Sequence, residues 1–247
     1  MNPWLIGVPA AVVAASAVTS YAAVSASSQL FGTTVRSTAS PLELAITFDD
    51  GPNPAVTPKL LDLLDQHDAK ATFFVIGRFV RECPALTREI AARGHLLGNH
   101  SETHANLFWM SHGSVREELR RCSGDLQDVI GANAEYFRPP WGYRNPWVIG
   151  VARELGMRTV MWTIIPGDWK ERPAEWLVER MRPIARRAET LTDRRVGDVL
   201  CLHDGAYRAL GGDRSRTLAA LEYWLPRWRE LGLKFVTISQ AVQTSAR

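Results

Sequence analysis

From residue 42 onward, short apolar runs alternate with amphipathic stretches, and this alternation constrains the fold more than any other feature of the sequence. The run "LELAITF" is followed by "TPKLLDLLDQH", and "ATFFVIG" is followed by "PALTREIAARG". In the amphipathic stretches apolar residues recur at helical spacing, as at Leu60, Leu61 and Leu64. A strand–helix unit repeated about seven times predicts a parallel sheet with crossover helices.

An open doubly wound sheet and a closed or nearly closed barrel both fit this pattern. Both architectures carry their chemistry at the carboxyl ends of the strands. The chain has 247 residues, of which 46% are hydrophobic, so it can bury a large core. Because no internal repeat, low-complexity tract or Pro/Gly/Ser linker follows residue 42, we expect one α/β domain over residues 41–247.

Residues 1–40 differ in composition from the rest, because Ala, Val and Ser dominate and Arg36 is the only charged side chain. We predict an apolar export signal or membrane anchor followed by a short linker, with a disordered extension as the alternative. Residues 4–24 suit a membrane-associated helix of ~20 residues as well as a signal peptide cleaved after Ala26. We therefore expect an exported protein, either secreted or anchored at the cell envelope.

Charge and cysteine content exclude two further classes. The formal net charge is +3, and without residues 1–40 the chain has 28 basic against 26 acidic side chains, with no basic run. This composition gives no indication of a nucleic-acid-binding surface. Cys83, Cys122 and Cys201 show neither a CxxC nor a metal-finger spacing, so we interpret them as small buried hydrophobes, with one disulfide as the alternative in an exported protein.

Polar side chains that can bind a metal or move protons follow successive apolar runs. In chain order they are Asp49 and Asp50, His100 and His104, Arg138, Asp168, and His203. Because the carboxyl ends of parallel strands meet at one edge, we expect these side chains to gather on one rim of the fold.

The segment "HSETH" carries two histidines four residues apart, so a single helical turn would present both imidazoles on one face. Two histidines and one carboxylate form a shell for one divalent ion that leaves positions open for water. Zinc is the first expectation, and cobalt, nickel or manganese also suit these donors. A cation would also neutralise one of the two adjacent aspartates, Asp49 and Asp50.

Five short segments, in the order "TFDDGP", "HSETH", "RPPWG", "DW" and "LCLHDG", resemble the five motifs of the NodB-homology polysaccharide deacetylases, carbohydrate esterase family 4. The resemblance spans residue 44 to about residue 240. It implies a distorted, incomplete (β/α) barrel of about seven parallel strands, similar to a TIM barrel, and metal-dependent removal of acetyl groups from sugars.

Matched motif by motif, the resemblance implies roles for individual residues. Asp50, His100 and His104 would be the metal ligands. Asp49 would be the base that deprotonates the attacking water, and Arg138 would hold Asp49 ionised and oriented. A surface salt bridge is the alternative role for Arg138.

The later motifs imply the acid and the substrate contacts. His203 would protonate the leaving group, with Asp168 fixing its tautomer, although Asp168 could also be an ordinary loop acid. The backbone N–H of Trp141 would stabilise the oxyanion. The expected substrate-binding residues are Trp141, Pro140, Trp169, Cys201 and Leu202. The tryptophans could stack on sugar rings or be core aromatics.

Two motifs depart from the family pattern. In many relatives further aspartates precede the Asp-Trp pair of the fourth motif, where this chain has Thr163 and Ile165. The fifth motif usually reads Leu-x-His, whereas here the residue two before His203 is Cys201. Since cysteine is smaller than leucine, we hypothesise a roomier acyl pocket.

These features predict a monomeric deacetylase of N-acetylated glycans such as chitin oligosaccharides or peptidoglycan. The nearest alternative is an O-acetyl esterase that acts on xylan-like polysaccharide. A catalytically inactive glycan-binding protein and a metal-dependent hydrolase of small C–N compounds are further alternatives on the same fold. His67, His95 and His112 match no motif, and we expect structural or surface positions for them.

Overall fold

The computed structural model of the protein describes residues 4–190 and 195–243. The strands are β1 (Ser37–Thr38), β2 (Glu43–Gly51), β3 (Thr72–Val75), β4 (Leu96–Asn99), β5 (Tyr136–Phe137), β6 (Arg158–Thr159), β7 (Gly197–His203) and β8 (Lys234–Phe235). The helices are α1 (Trp4–Val24), α2 (Thr57–Gln66), α3 (Gly77–Glu82), α4 (Pro84–Ala92), α5 (His112–Ile130), α6 (Pro146–Glu154), α7 (Ala174–Glu189), α8 (Ser215–Glu230) and α9 (Ile238–Gln243).

The strands form one curled sheet in the order β1-β7-β2-β3-β4-β5-β6, and β8 pairs with β2. All pairings between these strands are parallel except the antiparallel pairing of β1 with β7. Helices separate successive parallel strands, as crossover connections require. The predicted distorted, incomplete (β/α) barrel of about seven parallel strands is confirmed.

Strand β2 lies inside the sheet, with β3 on one side and β7 on the other. Its alternate residues Leu44, Ile46 and Phe48 belong to the main hydrophobic core. Ala45 packs in a second, smaller cluster, so successive side chains face opposite sides of the sheet. Because both faces are covered, β2 reads as a nearly continuous apolar run up to its carboxyl end.

The segment just before β2 links the two edges of the curled sheet. Ser37 pairs with Asp198 of β7, while Val35 forms a parallel bridge with Val160, the residue directly after β6. A further parallel bridge joins Ile164 to Leu200 of β7. Residues before the predicted domain boundary at 40/41 therefore contribute to the sheet, and the boundary itself stays a prediction.

The end of α1 is held to the domain by Arg144, whose side chain is fully buried. The Arg144 guanidinium donates hydrogen bonds to the carbonyl oxygens of Gly142 and Ser28, each at 3.1 Å, and to that of Ser25. The backbone N–H of Arg144 donates to the carbonyl of Ala23 at 3.1 Å. One buried arginine thus fixes the chain that leaves α1.

Residues 1–3 of the predicted N-terminal signal lie outside the described residues. In the part of the chain that the structure does describe, no helix combines the length and apolar character needed to cross a membrane. The export signal and the membrane anchor therefore stay predictions.

The three cysteines form no disulfide, and the three histidines that match no motif occupy structural or surface positions. Cys122 and Cys201 are buried, Cys83 is half-buried, and all three thiols are free. His95 is buried and its Nδ1 accepts a hydrogen bond from the Ala71 N–H at 3.2 Å. His67 is half-buried and His112 is exposed, as the sequence predicted.

Candidate active site

The two adjacent aspartates sit at a bulge at the carboxyl end of β2. Asp49 is paired with Phe74 and Gly51 with Val75, so Asp50 is the extra residue of the bulged strand. Asp50 has φ 70°, a left-handed conformation that is uncommon for a residue other than glycine. The bulge and the strand alternation together direct the two carboxylates to different partners.

Asp50 faces both histidines of the "HSETH" segment. Its Oδ1 lies 3.2 Å from Nε2 of His104 and 3.6 Å from Nε2 of His100. The two imidazole rings are 4.9 Å apart between centroids, and all three side chains are buried. The structure therefore brings together the three residues that the sequence predicted as one ligand set.

The expected helical turn at residues 100–104 is wrong, because these residues form a bend. Ser101 and His104 have φ values of 65° and 59°, which no α-helix contains. Polar side chains stabilise this backbone instead: Asn99 Oδ1 accepts from the Ser101 N–H at 2.8 Å, and Ser101 Oγ accepts from the His104 N–H at 3.0 Å. The bend turns the two imidazoles toward one point.

The donor atoms at this point fit a divalent cation. One donor atom from each of Asp50, His100 and His104 lies within 4.8 Å of the other two. Among the described residues Asp50 Oδ1 is buried without a hydrogen-bond partner, and an unpaired buried carboxylate oxygen is costly. Burial raises the pKa of Asp50, so this carboxylate gains from a neighbouring positive charge.

The surroundings of both histidines are compatible with metal binding through Nε2. His100 Nδ1 lies 2.8 Å from the carbonyl oxygen of Arg138, and an Nδ1–H that donates there leaves Nε2 with its lone pair. Burial, with a contribution from His100, lowers the pKa of His104 to about 2, so its imidazole is neutral. Neutral imidazole is the metal-binding form of histidine.

Asp49 is paired with Arg138, whose side chain has no exposed surface. Arg138 Nη1 donates to Asp49 Oδ1 and to Thr47 Oγ1, each at 2.7 Å. Burial alone would raise the pKa of Asp49, but the nearby charges, that of Arg138 first, outweigh it and lower the pKa. Asp49 is therefore ionised, and its Oδ2 remains free of Arg138 and lies 3.4 Å from the Cys201 thiol.

His203 is held by Asp168. Asp168 Oδ1 accepts from His203 Nδ1 at 2.8 Å, and Asp168 Oδ2 accepts from the His203 backbone N–H at 2.7 Å and from Thr217 Oγ1 at 3.0 Å. Burial would lower the pKa of His203, but Asp168 and then Asp50 and Asp49 raise it to about 9. His203 is therefore protonated at neutral pH.

Asp49, His203 and the three residues of the ligand set face one cavity of about 610 Å³, whereas Arg138 and Asp168 do not line it. Its residues are Asp49, Asp50, His100, His104, Trp141, Gly142, Tyr143, Trp162, Ile165, Trp169, Cys201, His203, Ala206, Tyr207, Arg208 and Arg214. Trp141, Tyr143 and Trp169 expose aromatic surface beside it. A larger cavity, of about 830 Å³, contains none of the predicted site residues.

Two predicted substrate contacts do not reach the cavity. Leu202 belongs to the main hydrophobic core, because it lies between Cys201 and His203 in β7 and faces the opposite side of the sheet. Pro140 is buried beneath the exposed Trp141 and is not among the cavity residues. Neither residue is among those that line the cavity, and substrate binding by these two residues stays a prediction.

Sequence reasoning missed Tyr143 and Tyr207. The Tyr207 ring stacks on His104 with centroids 4.5 Å apart and an interplanar angle of 17°. Tyr143 follows "RPPWG" directly, and Tyr207 lies two residues after "LCLHDG". The one sequence feature that could have indicated a role for these two tyrosines is that each lies close to a motif.

Comparisons with known proteins give concordant matches. The family described as polysaccharide deacetylase matches residues 36–160. A chitooligosaccharide deacetylase from Azorhizobium caulinodans is 34% identical over 210 residues, which cover 82% of this chain and 96% of that protein. A peptidoglycan-N-acetylglucosamine deacetylase from Bacillus cereus is 36% identical over 200 residues, which cover 81% of this chain and 88% of that protein.

A solved structure shares the architecture. It is a peptidoglycan N-acetylglucosamine deacetylase in complex with 4-naphthalen-1-yl-N-oxidanyl-benzamide. The TM-score is 0.76 at 29% sequence identity, and the match covers 86% of this chain and 94% of the solved chain.

Proposed function

Because the chain belongs to the polysaccharide deacetylase family, we propose that it hydrolyses N-acetyl groups of N-acetylglucosamine-containing glycans of the chitin-oligosaccharide or peptidoglycan type. The observation that carries this proposal is the convergence of Asp50, His100 and His104 beside Asp49 and His203 on one cavity. The names of the A. caulinodans and B. cereus relatives support the substrate class.

Asp50, His100 and His104 are the residues that hold the metal in this proposal. A divalent cation held by these residues would activate water and would polarise the acyl carbonyl as a Lewis acid. Zinc is favoured because two histidines and one carboxylate are a known catalytic zinc shell, and cobalt, nickel and manganese are the alternatives.

Asp49 is the general base. Arg138 occupies its Oδ1 and lowers its pKa, so the carboxylate stays ionised and fixed in orientation. Oδ2, which Arg138 leaves available, is the atom that accepts a proton from the attacking water. The buried Arg138 is a positioning residue, because it contacts the base and not the cavity.

His203 is the general acid. Its Nδ1 is bonded to Asp168, so the proton available to the leaving amine is the one on Nε2. The pKa of about 9 keeps this proton in place at neutral pH. The backbone N–H of Trp141, in the turn after Arg138, donates to the oxyanion as the carbonyl carbon becomes tetrahedral.

The exposed faces of Trp141, Tyr143 and Trp169 suit stacking against sugar rings at the mouth of the cavity. Cys201 lies inside the cavity next to Asp49, where the methyl group of an acetyl substrate would lie. We further propose that the protein works as a monomer outside the cytoplasm, exported or anchored through residues 4–24, since its glycan substrates belong to the cell envelope or its surroundings.

The direct test is acetate release by the metal-loaded protein, measured on N-acetylglucosamine oligomers and on acetylated xylan, with and without a chelator. We expect chelator-sensitive release from the N-acetylglucosamine oligomers. Release from xylan alone would instead identify an O-acetyl esterase. No release from either substrate by metal-loaded protein would leave a glycan-binding protein on this fold.

A further inference from the structure

One wall of the cavity is built by residues 204–214, the loop between β7 and α8. Tyr207 of this loop stacks on the His104 ring, and Arg78 donates a hydrogen bond to the Tyr207 carbonyl oxygen. Two arginines of the same loop, Arg208 and Arg214, line the cavity. The loop is thus fixed against the site while it presents two positive charges to it.

Neither arginine has an ion-pair partner in the described part of the chain. Arg214 is half-buried, its Nε is buried without a hydrogen-bond partner there, and its Nη1 donates only to the Asp213 carbonyl oxygen at 3.2 Å. The Arg208 guanidinium lies against the Tyr207 ring, with Cζ 5.6 Å from the centroid and Nε 3.2 Å from the phenol oxygen. Both guanidinium groups have donors left for a ligand.

The carboxylates of the site lie against other groups, although Oδ1 of Asp50 has no hydrogen bond among the described residues. Asp49 is paired with Arg138, Asp168 is bonded to His203, and Asp50 faces the two histidines of the ligand set. No described carboxylate forms a direct ion pair with Arg208 or Arg214, although Asp50 and Asp213 are close enough to Arg214 for its charge to lower their pKa values. A neutral chitin oligosaccharide has no group that would balance the charges of the two arginines.

We propose that Arg208 and Arg214 bind a carboxylate on a sugar adjacent to the one that is deacetylated, so that the preferred substrate is an acidic N-acetylated glycan. This inference rests on the proposed deacetylase function and narrows its substrate class. A guanidinium group binds a carboxylate through two parallel N–H donors, which fixes the position of the substrate as well as its charge. The carboxylate can come from the lactyl ether of a muramic sugar or from a uronic acid.

The test measures binding in the Asp49→Asn background, in which substrate persists. Three tetrasaccharides are titrated by calorimetry: alternating N-acetylglucosamine and N-acetylmuramic acid, the same compound with amidated carboxyls, and N-acetylchitotetraose. A fourth, alternating N-acetylglucosamine and glucuronic acid, distinguishes the two sources of carboxylate. We expect the acidic compounds to bind roughly tenfold or more tightly than the neutral ones, because hydrogen bonds between charged groups are stronger than those between neutral groups.

Variants of the two arginines test whether these residues cause the preference for acidic ligands. Arg214→Gln and Arg208→Gln should each weaken binding of the acidic tetrasaccharide about tenfold and change chitotetraose binding less than about twofold. Arg216→Gln is the matched control, because this half-buried arginine lies two residues beyond Arg214 and outside the cavity. Added salt should weaken only the acidic ligands.

Equal affinity for the acidic and amidated tetrasaccharides would overturn the inference, as would equal weakening of acidic and neutral ligands by the variants. If Arg214→Gln does not fold, Arg208→Gln and the amidated ligand still decide the question. Acetate release by the wild-type protein is measured separately. A wild-type protein that binds the acidic glycan selectively but releases no acetate from any substrate would refute the proposed function and leave carboxylate recognition standing.

Discussion

Asp168 accepts two hydrogen bonds from His203, one from the ring at 2.8 Å and one from the backbone N–H at 2.7 Å. The Asp168 carboxylate thereby fixes the position of His203 as well as the tautomer of its imidazole ring. This arrangement is the main support for a protonated His203, because burial alone would lower its pKa.

The first prediction concerns the alkaline side of the pH profile. The acid form of His203 is present below its pKa of about 9 and is lost as the pH rises through that value. Asp168→Asn removes the charge that raises this pKa, so the alkaline limb of kcat/KM should move to lower pH. Since general acid catalysis contributes roughly 10²–10⁴-fold, kcat should also fall within about that range.

Thr217→Val is the control for Asp168, because it removes one hydrogen bond to Oδ2 and leaves the carboxylate charge in place. Its alkaline limb should stay close to that of the wild-type protein. An Asp168→Asn profile that coincides with the wild-type profile would show that His203 is not the titrating acid.

The second prediction separates the two adjacent aspartates. Asp49→Asn should keep the metal and lose turnover by about 10²-fold or more, because the base is removed while the ligand set is intact. Asp50→Asn should lose both metal and turnover. Metal content after dialysis and acetate release decide between these outcomes, with the exposed Asp62→Asn as the control. Equal metal retention in the Asp49 and Asp50 variants would refute the division of roles.

The third prediction concerns the acyl pocket. Cys201 is buried in β7 and its thiol lies 3.4 Å from Asp49 Oδ2. Cys201→Leu fills this space, so N-acetyl turnover should persist while N-propionyl and N-butyryl substrates are cleaved more slowly relative to it. Competing release of acetate and longer acids from mixed substrates measures the ratio. An unchanged acyl preference would reject the roomier pocket.

The fourth prediction concerns stability. Arg144→Met should lower the free energy of unfolding by about 2–4 kcal/mol, because it leaves buried carbonyl oxygens of the Ser25–Ser28 segment and of Gly142 without their charged donor. Denaturant unfolding measures the change, and the exposed Arg153→Met is the control. A stability equal to that of the control would mean that Arg144 does not hold the end of α1.

A chain that begins at Ser27 extends this prediction. It lacks Ala23 and Ser25, which accept hydrogen bonds from Arg144, but keeps Ser28. Its stability should fall between those of the full chain and the Arg144→Met variant.

The sequence predicted the features that depend on strand periodicity and missed those that depend on special backbone conformations. The rule that functional residues lie at the carboxyl ends of parallel strands predicted that Asp50, His100 and His104 lie close together. Strand alternation likewise puts Cys201 and His203 on one face of β7, and it puts Leu202 on the opposite face.

The bulge at Asp50 and the bend at Ser101 and His104 could not be read from the pattern of apolar and polar residues. Both rest on left-handed φ values of residues other than glycine, which surrounding hydrogen bonds and packing impose. The stacking of Tyr207 on His104 could not be predicted from the sequence either, because the path of a loop depends on the tertiary contacts of its ends.

The segment that links the edges of the curled sheet sets an order for its assembly. Val35 and Ser37 leave the ribosome early, whereas their partners Val160 and Asp198 are synthesised more than a hundred residues later. The strand pairing that links these two edges therefore cannot form until most of the chain has been synthesised. The nascent protein therefore keeps its first strand unpaired until then.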